Sequence, residues 1–342
     1  MCSELAASAR FPRVLASNRI SLFFAAALTS VLASPAAAAP PSAPATNTSV
    51  ALSGAEVRQA RAFWTAARMR QARPLDIGSR TPALRRGGSP GRRGHGAAHR
   101  YPAAAAAVAG SSSLSEPIPN PGLPGFSEHG VVFVLAGGGF FGRCSAISVN
   151  APNRSVVFTA GHCVHQGRRW FDRKWVFVPG YHYGIRPFGV FVAKWLGSTP
   201  GWVSSQNGNF DVGAAVVSRN EHGQRLAAAV GGAGIAWNLS PRQVFDVYGY
   251  PAEEPFNGAT LQRCPQTPFL GHDIASFLSP GPLNLAVECN VTGGASGGGW
   301  LIAGNTLNGI TTNGYPEDPR TDFGPYFGNA VGRLFREAAA VR

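Results

Sequence analysis

The stretch "CNVTGGASGGGW", residues 289–300, sets one serine, Ser296, among five glycines. In a chain this rich in glycine, a G-x-S-G-G string has meaning only if the chain also supplies what a serine nucleophile needs. A serine hydroxyl attacks poorly at neutral pH unless an imidazole takes its proton. That imidazole needs a buried carboxylate to fix its tautomer.

Both partners have candidates. His162 lies in "SVVFTAGHCVH", residues 155–165, just after an apolar strand and in a turn opened by Ala160 and Gly161. Asp211 lies in "NGNFDVGAAVVSR", residues 207–219, at the head of an apolar strand, where one end is buried while the carboxylate reaches sideways. Asp172, Asp246 and Asp273 are the alternatives, each in a setting that suits a surface or turn carboxylate. The order His162, Asp211, Ser296 then separates the hydrolase classes. An esterase of the α/β-hydrolase type needs its histidine last, and no histidine follows His272. The order Asp, His, Ser would require Asp76, the only aspartate before His162, which sits in a low-complexity segment unable to hold it rigidly.

Further out, the chain divides by composition. Residues 1–119 carry fourteen Arg against four Asp or Glu, so +10 of the formal net charge of +13 lies there and +3 in the remainder. The main domain is therefore only mildly basic, and nucleic acid is not an expected partner. Arg10, Arg13 and Arg19 precede "ISLFFAAALTSVLA" and then "SPAAAAP", the pattern of an export signal over residues 1–38 with cleavage near Ala38. The apolar run is shorter than the roughly 20 residues of a membrane span, so no membrane association is expected once the signal is removed. Residues 39–125 are rich in Ala, Pro, Ser, Gly and Arg and cannot bury a core of their own. They read as a basic pro-segment with one helix, "GAEVRQARAFWTAARMRQARPLD", over residues 54–76.

Cys2 would leave with the signal. Cys144, Cys163, Cys264 and Cys289 remain, an even number that favours two disulfides in an exported protein, with three possible connectivities. No C-x-x-C metal spacing occurs, and neither a metal nor a cofactor is expected.

Residues 126–342 form the expected main domain. Short β-branched and aromatic runs recur there between turn residues: "GVVFVLA", "CSAISV", "SVVFTA", "KWVFVPG", "GVFVAKW", "DVGAAVV", "QVFDVYGYP", "LNLAVEC", "GWLIAG" and "TLNGITT". So many short strands predict an all-β barrel or sandwich. The end, "NAVGRLFREAAAVR", has helical spacing and closes the chain.

"TAGHC", the strand-heading Asp211 and "GGASGG" resemble the chymotrypsin/trypsin-like serine peptidases. The chain is most similar to the secreted bacterial members, through "FVPGYHYGIRPFGVF", "VYGYP", "CNVTGGASGG", "PYFGNAVGRLF" and "FWTAARMRQARPLD". The resemblance implies two six-stranded Greek-key β-barrels, with His162 and Asp211 on the first, Ser296 on the second, and substrate in the cleft between them. It implies disulfides Cys144–Cys163 and Cys264–Cys289. It also assigns the backbone N–H groups of Gly294 and Ser296 to the oxyanion of a tetrahedral intermediate.

Three positions depart from that pattern. Ala295 stands where animal trypsins carry the aspartate that binds a new N-terminus, so that activation route is closed. Gly299 stands where proline is frequent, and Thr311 where glutamyl endopeptidases carry histidine. By analogy Asn290 lies near the floor of the specificity pocket, with Thr311 and Gly314 on its wall. No acid is evident at that floor, which leaves a small, apolar or amide side chain as the expected preference. The expected protein is a secreted, monomeric serine endopeptidase acting on polypeptides. The alternative is a secreted binding protein on the same fold that has lost turnover.

Overall fold

Each of the ten apolar runs becomes a strand in the computed structural model, which describes residues 46–49, 53–75, 96–103, 114–171 and 174–342. The expected export signal and residues Cys2, Asp76 and Asp172 lie outside the described residues.

The first sheet closes on itself. Strands Phe191–Ser198, Val176–Pro179, His129–Leu135, Phe141–Val149, Val156–Thr159 and Gly213–Val217 pair antiparallel in that order, and the last returns to the first through Ala193↔Val217 to Ser198↔Gly213. Closure removes the sheet edges and gives a six-stranded barrel whose strands bury Val132, Phe133, Val157, Phe158, Phe177 and neighbouring apolar side chains on their two faces.

The second sheet runs Asn313–Tyr315, Asp318–Gly324, Leu285–Glu288, Gln262–His272, Val244–Gly249, Gly299–Ile302, Thr306–Ile310 and Gly234–Trp237. All neighbours are antiparallel except the last two. It encloses a separate core of Phe245, Val247, Leu285, Val287, Trp300 and Ile302. The C-terminal helix, Asn329–Ala340, ties the two halves: Phe335 packs near both Phe158 of the first and Trp237 of the second. The all-β class with a C-terminal helix is thus as expected.

The segment ahead of the barrels contributes more than its composition suggests. The helix expected over 54–76 is two helices, Gly54–Phe63 and Ala66–Gln71. Ser53 and Glu56 form a capping box on the first, and the Thr65 hydroxyl accepts from the Arg68 N–H to start the second. The break between them lets Trp64 bury fully against the first barrel, where its Nε1–H donates to the Lys174 carbonyl at 2.6 Å and its ring packs near Phe133 and Phe141. Met69 and Leu75 are buried in the same core. Further short strands join the sheets: Arg73–Pro74 on Phe141–Val149, His99–Tyr101 on Gly234–Trp237, and Glu116–Pro117 on Gln262–His272.

Candidate active site

The local sequence around His162 forces it toward Asp211. After strand Val156–Thr159 the chain turns through the 3₁₀ segment Gly161–Cys163, and Cys163 is bonded to Cys144 on the neighbouring strand. The second disulfide joins Cys264 to Cys289, seven residues before Ser296. Gly161 is required by close approach, since a β-carbon there would lie 2.8 Å from Asp211 Oδ1 and 2.7 Å from the Trp202 ring. Asp211 ends the 3₁₀ turn Gly208–Phe210, just ahead of strand Gly213–Val217.

The two side chains are buried and doubly joined. Asp211 Oδ1 accepts the His162 backbone N–H at 2.8 Å, and Oδ2 lies 2.8 Å from His162 Nδ1. Because a carboxylate only accepts, the ring hydrogen belongs on Nδ1, which leaves the Nε2 lone pair free to take a proton. Nε2 has no hydrogen-bond partner among the described residues. No hydrogen bond joins the Ser296 hydroxyl to that nitrogen; catalytic hydrogen bonds are often long until substrate tightens them. Ser296 is held close by its main chain: its carbonyl accepts the Ser145 N–H at 2.8 Å and lies 3.8 Å from Cys163 Sγ.

The glycine loop is fixed by hydrogen bonds rather than flexible. The Gly293 carbonyl accepts the Ala252 N–H at 2.6 Å. In a trans peptide the N–H points opposite to the carbonyl, so the Gly294 N–H faces away from Ala252. The Gly294 carbonyl accepts the Ser145 hydroxyl at 2.8 Å, and that hydroxyl in turn accepts the Tyr250 N–H at 2.8 Å. The N–H groups of Gly294 and Ser296 donate to no acceptor among the described residues. Gly294 has φ +95°, a backbone conformation that side-chain-bearing residues avoid.

The other pocket residues are more committed. Thr311 flanks Ser296, since Gly297 N–H donates to its carbonyl at 2.7 Å and its own N–H donates to the Gly298 carbonyl at 3.0 Å. Its hydroxyl accepts the Trp300 Nε1–H at 2.9 Å. The Asn290 amide oxygen accepts the Ser115 N–H at 2.8 Å, so this side chain is engaged by the segment ahead of the first barrel. Gly314 lies exposed on strand Asn313–Tyr315.

Cys144, His162 and Cys163 cluster tightly, but the disulfide has consumed both thiols and the set offers a metal no thiolate. A hollow of about 390 Å³ beside the C-terminal helix, edged by Lys194, Arg219, Arg225 and Arg342, includes none of His162, Asp211 or Ser296. The chemistry-bearing residues, not this hollow, mark the site.

The fold is shared with solved proteases. The chain is similar to the protease Anisep from Arthrobacter nicotinovorans, with TM-score 0.60, 32% identity, and coverage of 66% of this chain and 100% of that one. It is also similar to the thermostable serine protease AL20 from an extremophilic microorganism, with TM-score 0.58, 34% identity, and coverage of 64% and 100%. A Glu endopeptidase at 17% identity and TM-score 0.52 shares the fold. No family model and no curated protein matches the chain. On the solved relatives, the chain belongs to the chymotrypsin/trypsin-like serine peptidase family.

Proposed function

We propose that the protein is an exported serine endopeptidase, active as a monomer on polypeptides, in which Ser296, His162 and Asp211 form the catalytic triad. The observation that carries this reading is the buried Asp211–His162 pair, which leaves an unpartnered Nε2 beside the nucleophile loop. Ser296 Oγ attacks the scissile carbonyl and His162 Nε2 takes the hydroxyl proton. The carbonyl oxygen, now negative, is received by the N–H groups of Gly294 and Ser296. As the C–N bond breaks, His162 gives that proton to the leaving amine and an acyl-serine remains. Water then attacks the ester, passing its proton to His162. The acid departs as Ser296 regains its hydrogen.

Export is supported by the signal-like residues 1–38 and by two disulfides, which persist in oxidising compartments. Among the described residues no helix is long and apolar enough to cross a membrane. Residues 39–125 act in this reading as a pro-segment. Strand Arg73–Pro74 supports the idea, because it lies parallel to Phe141–Val149 on the edge that also meets Ser296.

Labelling with a fluorophosphonate tests the triad, since the probe needs only the nucleophile, its base and the oxyanion donors. Mass spectrometry is expected to find the adduct on Ser296. A folded protein that stays unlabelled would instead be the binding protein that has lost turnover.

A further inference from the structure

Most carboxylates buried in this protein are paired. Asp211 holds His162, and Asp246 accepts from Arg263 at 2.9 Å and from the Gln266 N–H at 3.0 Å. Asp273 accepts from the Ala275 N–H and from the Tyr315 hydroxyl. Asp322 is different. It is 3% exposed, and its Oδ2 is the one carboxylate oxygen among the described residues that is buried without a hydrogen-bond partner. Arg320, two residues away on the same strand face, is bonded to Glu288 at 2.6 Å and its side chain is 61% exposed.

A buried carboxyl without a partner is costly, and such groups cluster at functional sites. Burial alone raises the Asp322 carboxyl well above its ordinary range. Its place in the fold says what would complete it. In strand Asp318–Gly324, Asp322 stands opposite Val287 on one side and Gly314 on the other. Cross-strand neighbours share a face, so the carboxyl shares the face of Val287. Val287 belongs to the apolar cluster that also contains Cys289, Val291 and Ala295, the residues leading to Ser296. Gly314 is exposed and carries no side chain to cover the acid; a β-carbon there would lie 3.6 Å from Asp322 Oδ1. From Thr311, bonded to Gly297 and Gly298, to Gly314 is three residues of extended chain, about 10 Å. A long side chain suits that depth and a short one does not. Asn290, the floor residue expected by analogy, is already occupied by Ser115.

We propose that Asp322 is the specificity-determining residue of the site and that the protein cleaves after arginine or lysine, whose cationic end the Asp322 carboxylate receives. This rests on the reading of Ser296 as the nucleophile. The cation supplies the counter-charge and hydrogen bonds that Oδ2 lacks, and the apolar walls take the methylene stem. The expectation from sequence of a small, apolar or amide side chain gives way here, because the acid comes from a strand 26 residues beyond Ser296 rather than from the loop before it.

The test uses arylamide substrates that differ only in the residue before the scissile bond: Arg, Lys, norleucine, Gln and Glu. Such substrates need nothing on the side of the cleft where Arg73–Leu75 lies. The full chain is expected to favour Arg and Lys over norleucine by about 10²- to 10³-fold in kcat/KM, and in Asp322→Asn that ratio is expected to fall toward one. Benzamidine, an amidinium probe, should slow fluorophosphonate labelling of the parent and not of Asp322→Asn, which gives a readout independent of turnover. Labelling of Ser296 without preference for basic residues would overturn the role of Asp322 and leave the peptidase reading standing. An unlabelled Ser296 with no turnover of any substrate would overturn both.

Discussion

The Ser145 N–H donates to the Ser296 carbonyl at 2.8 Å, so a strand of the first barrel bonds directly to the main chain of the proposed nucleophile on the second. Successive residues of a strand point their N–H and C=O groups to opposite edges, and Arg143 therefore shares the edge used by Ser145. There the Arg143 carbonyl accepts the Leu75 N–H at 3.0 Å. The segment ahead of the barrels thus occupies the strand edge beside Ser296. In the proposed reading, where the 311–314 strand takes the acyl half of a substrate, that edge is left for the leaving-group half.

Leu75→Pro removes the donor of that bond. The hydrogen bond alone, roughly 1 kcal/mol net, predicts at least about a five-fold gain in kcat/KM for peptides extending past the scissile bond, and loss of the buried leucine side chain adds to it. Arylamides, which have no residues there, should not change. Equal effects on both substrate types would show that this strand does not cover the leaving-group side.

Ser296→Ala, His162→Ala and Asp211→Asn are each expected to lower kcat by about 10⁴-fold or more, and pairs of them to cost little beyond the worse single change, since the three act as one unit. Steady-state kinetics on one arylamide decides it. Multiplicative losses in the double variants would mean that the Asp211–His162 pair is structural and acts apart from Ser296.

Gly294→Ala probes the oxyanion site. Its β-carbon would meet the Tyr250 carbonyl and the Ala252 methyl, each at 3.0 Å, at a φ of +95° that alanine avoids. The peptide that orients the Gly294 N–H must shift. A loss of about 10²- to 10³-fold in kcat is expected, with KM little altered, because the donor acts on charge that develops only in the transition state. A rise in KM at unchanged kcat would place this loop in ground-state binding instead.

The barrel strands were legible because runs such as "GVVFVLA" and "SVVFTA" combine β-branched residues with turn punctuation. Strand Gln262–His272 was not, since Pro265 and Pro268 read as interruptions. It accommodates them with register shifts and with Gln266 at φ +54°. The expected helix over 54–76 missed its break, because the burial of Trp64 depends on a core that only distant strands provide. Asp322 escaped notice for the same reason: "DPRTDFG" is polar enough to pass for a loop, and only its pairing with Val287 and Gly314 shows the acid to be inside.

Adjacent residues Glu128 and His129 give stability an uneven dependence on pH. His129 is buried with both ring nitrogens unpartnered among the described residues, stacked on Tyr248 at 4.1 Å. Burial, aided by the Arg263 charge, lowers its pKa from 6.5 to about 3. The unfolded chain therefore binds a proton that the folded one refuses, and this residue's contribution falls by about 1.4 kcal/mol per unit as pH drops from 6.5 toward 3. Glu128 runs the other way: burial pushes its carboxyl from 4.5 up to about 6, so between those values the folded chain holds the extra proton and gains stability as pH falls. The two slopes oppose each other from about pH 6 to 4.5, and below that His129 acts without opposition. His129→Phe keeps the ring stack and deletes the titration. Denaturant unfolding of both proteins at pH 7, 5.5 and 4 isolates this, because all other groups cancel in the difference. The variant is expected to gain on the parent steadily as pH falls below 6.5, and a difference constant across the three would show that His129 accepts a proton in the folded chain as readily as in the unfolded one.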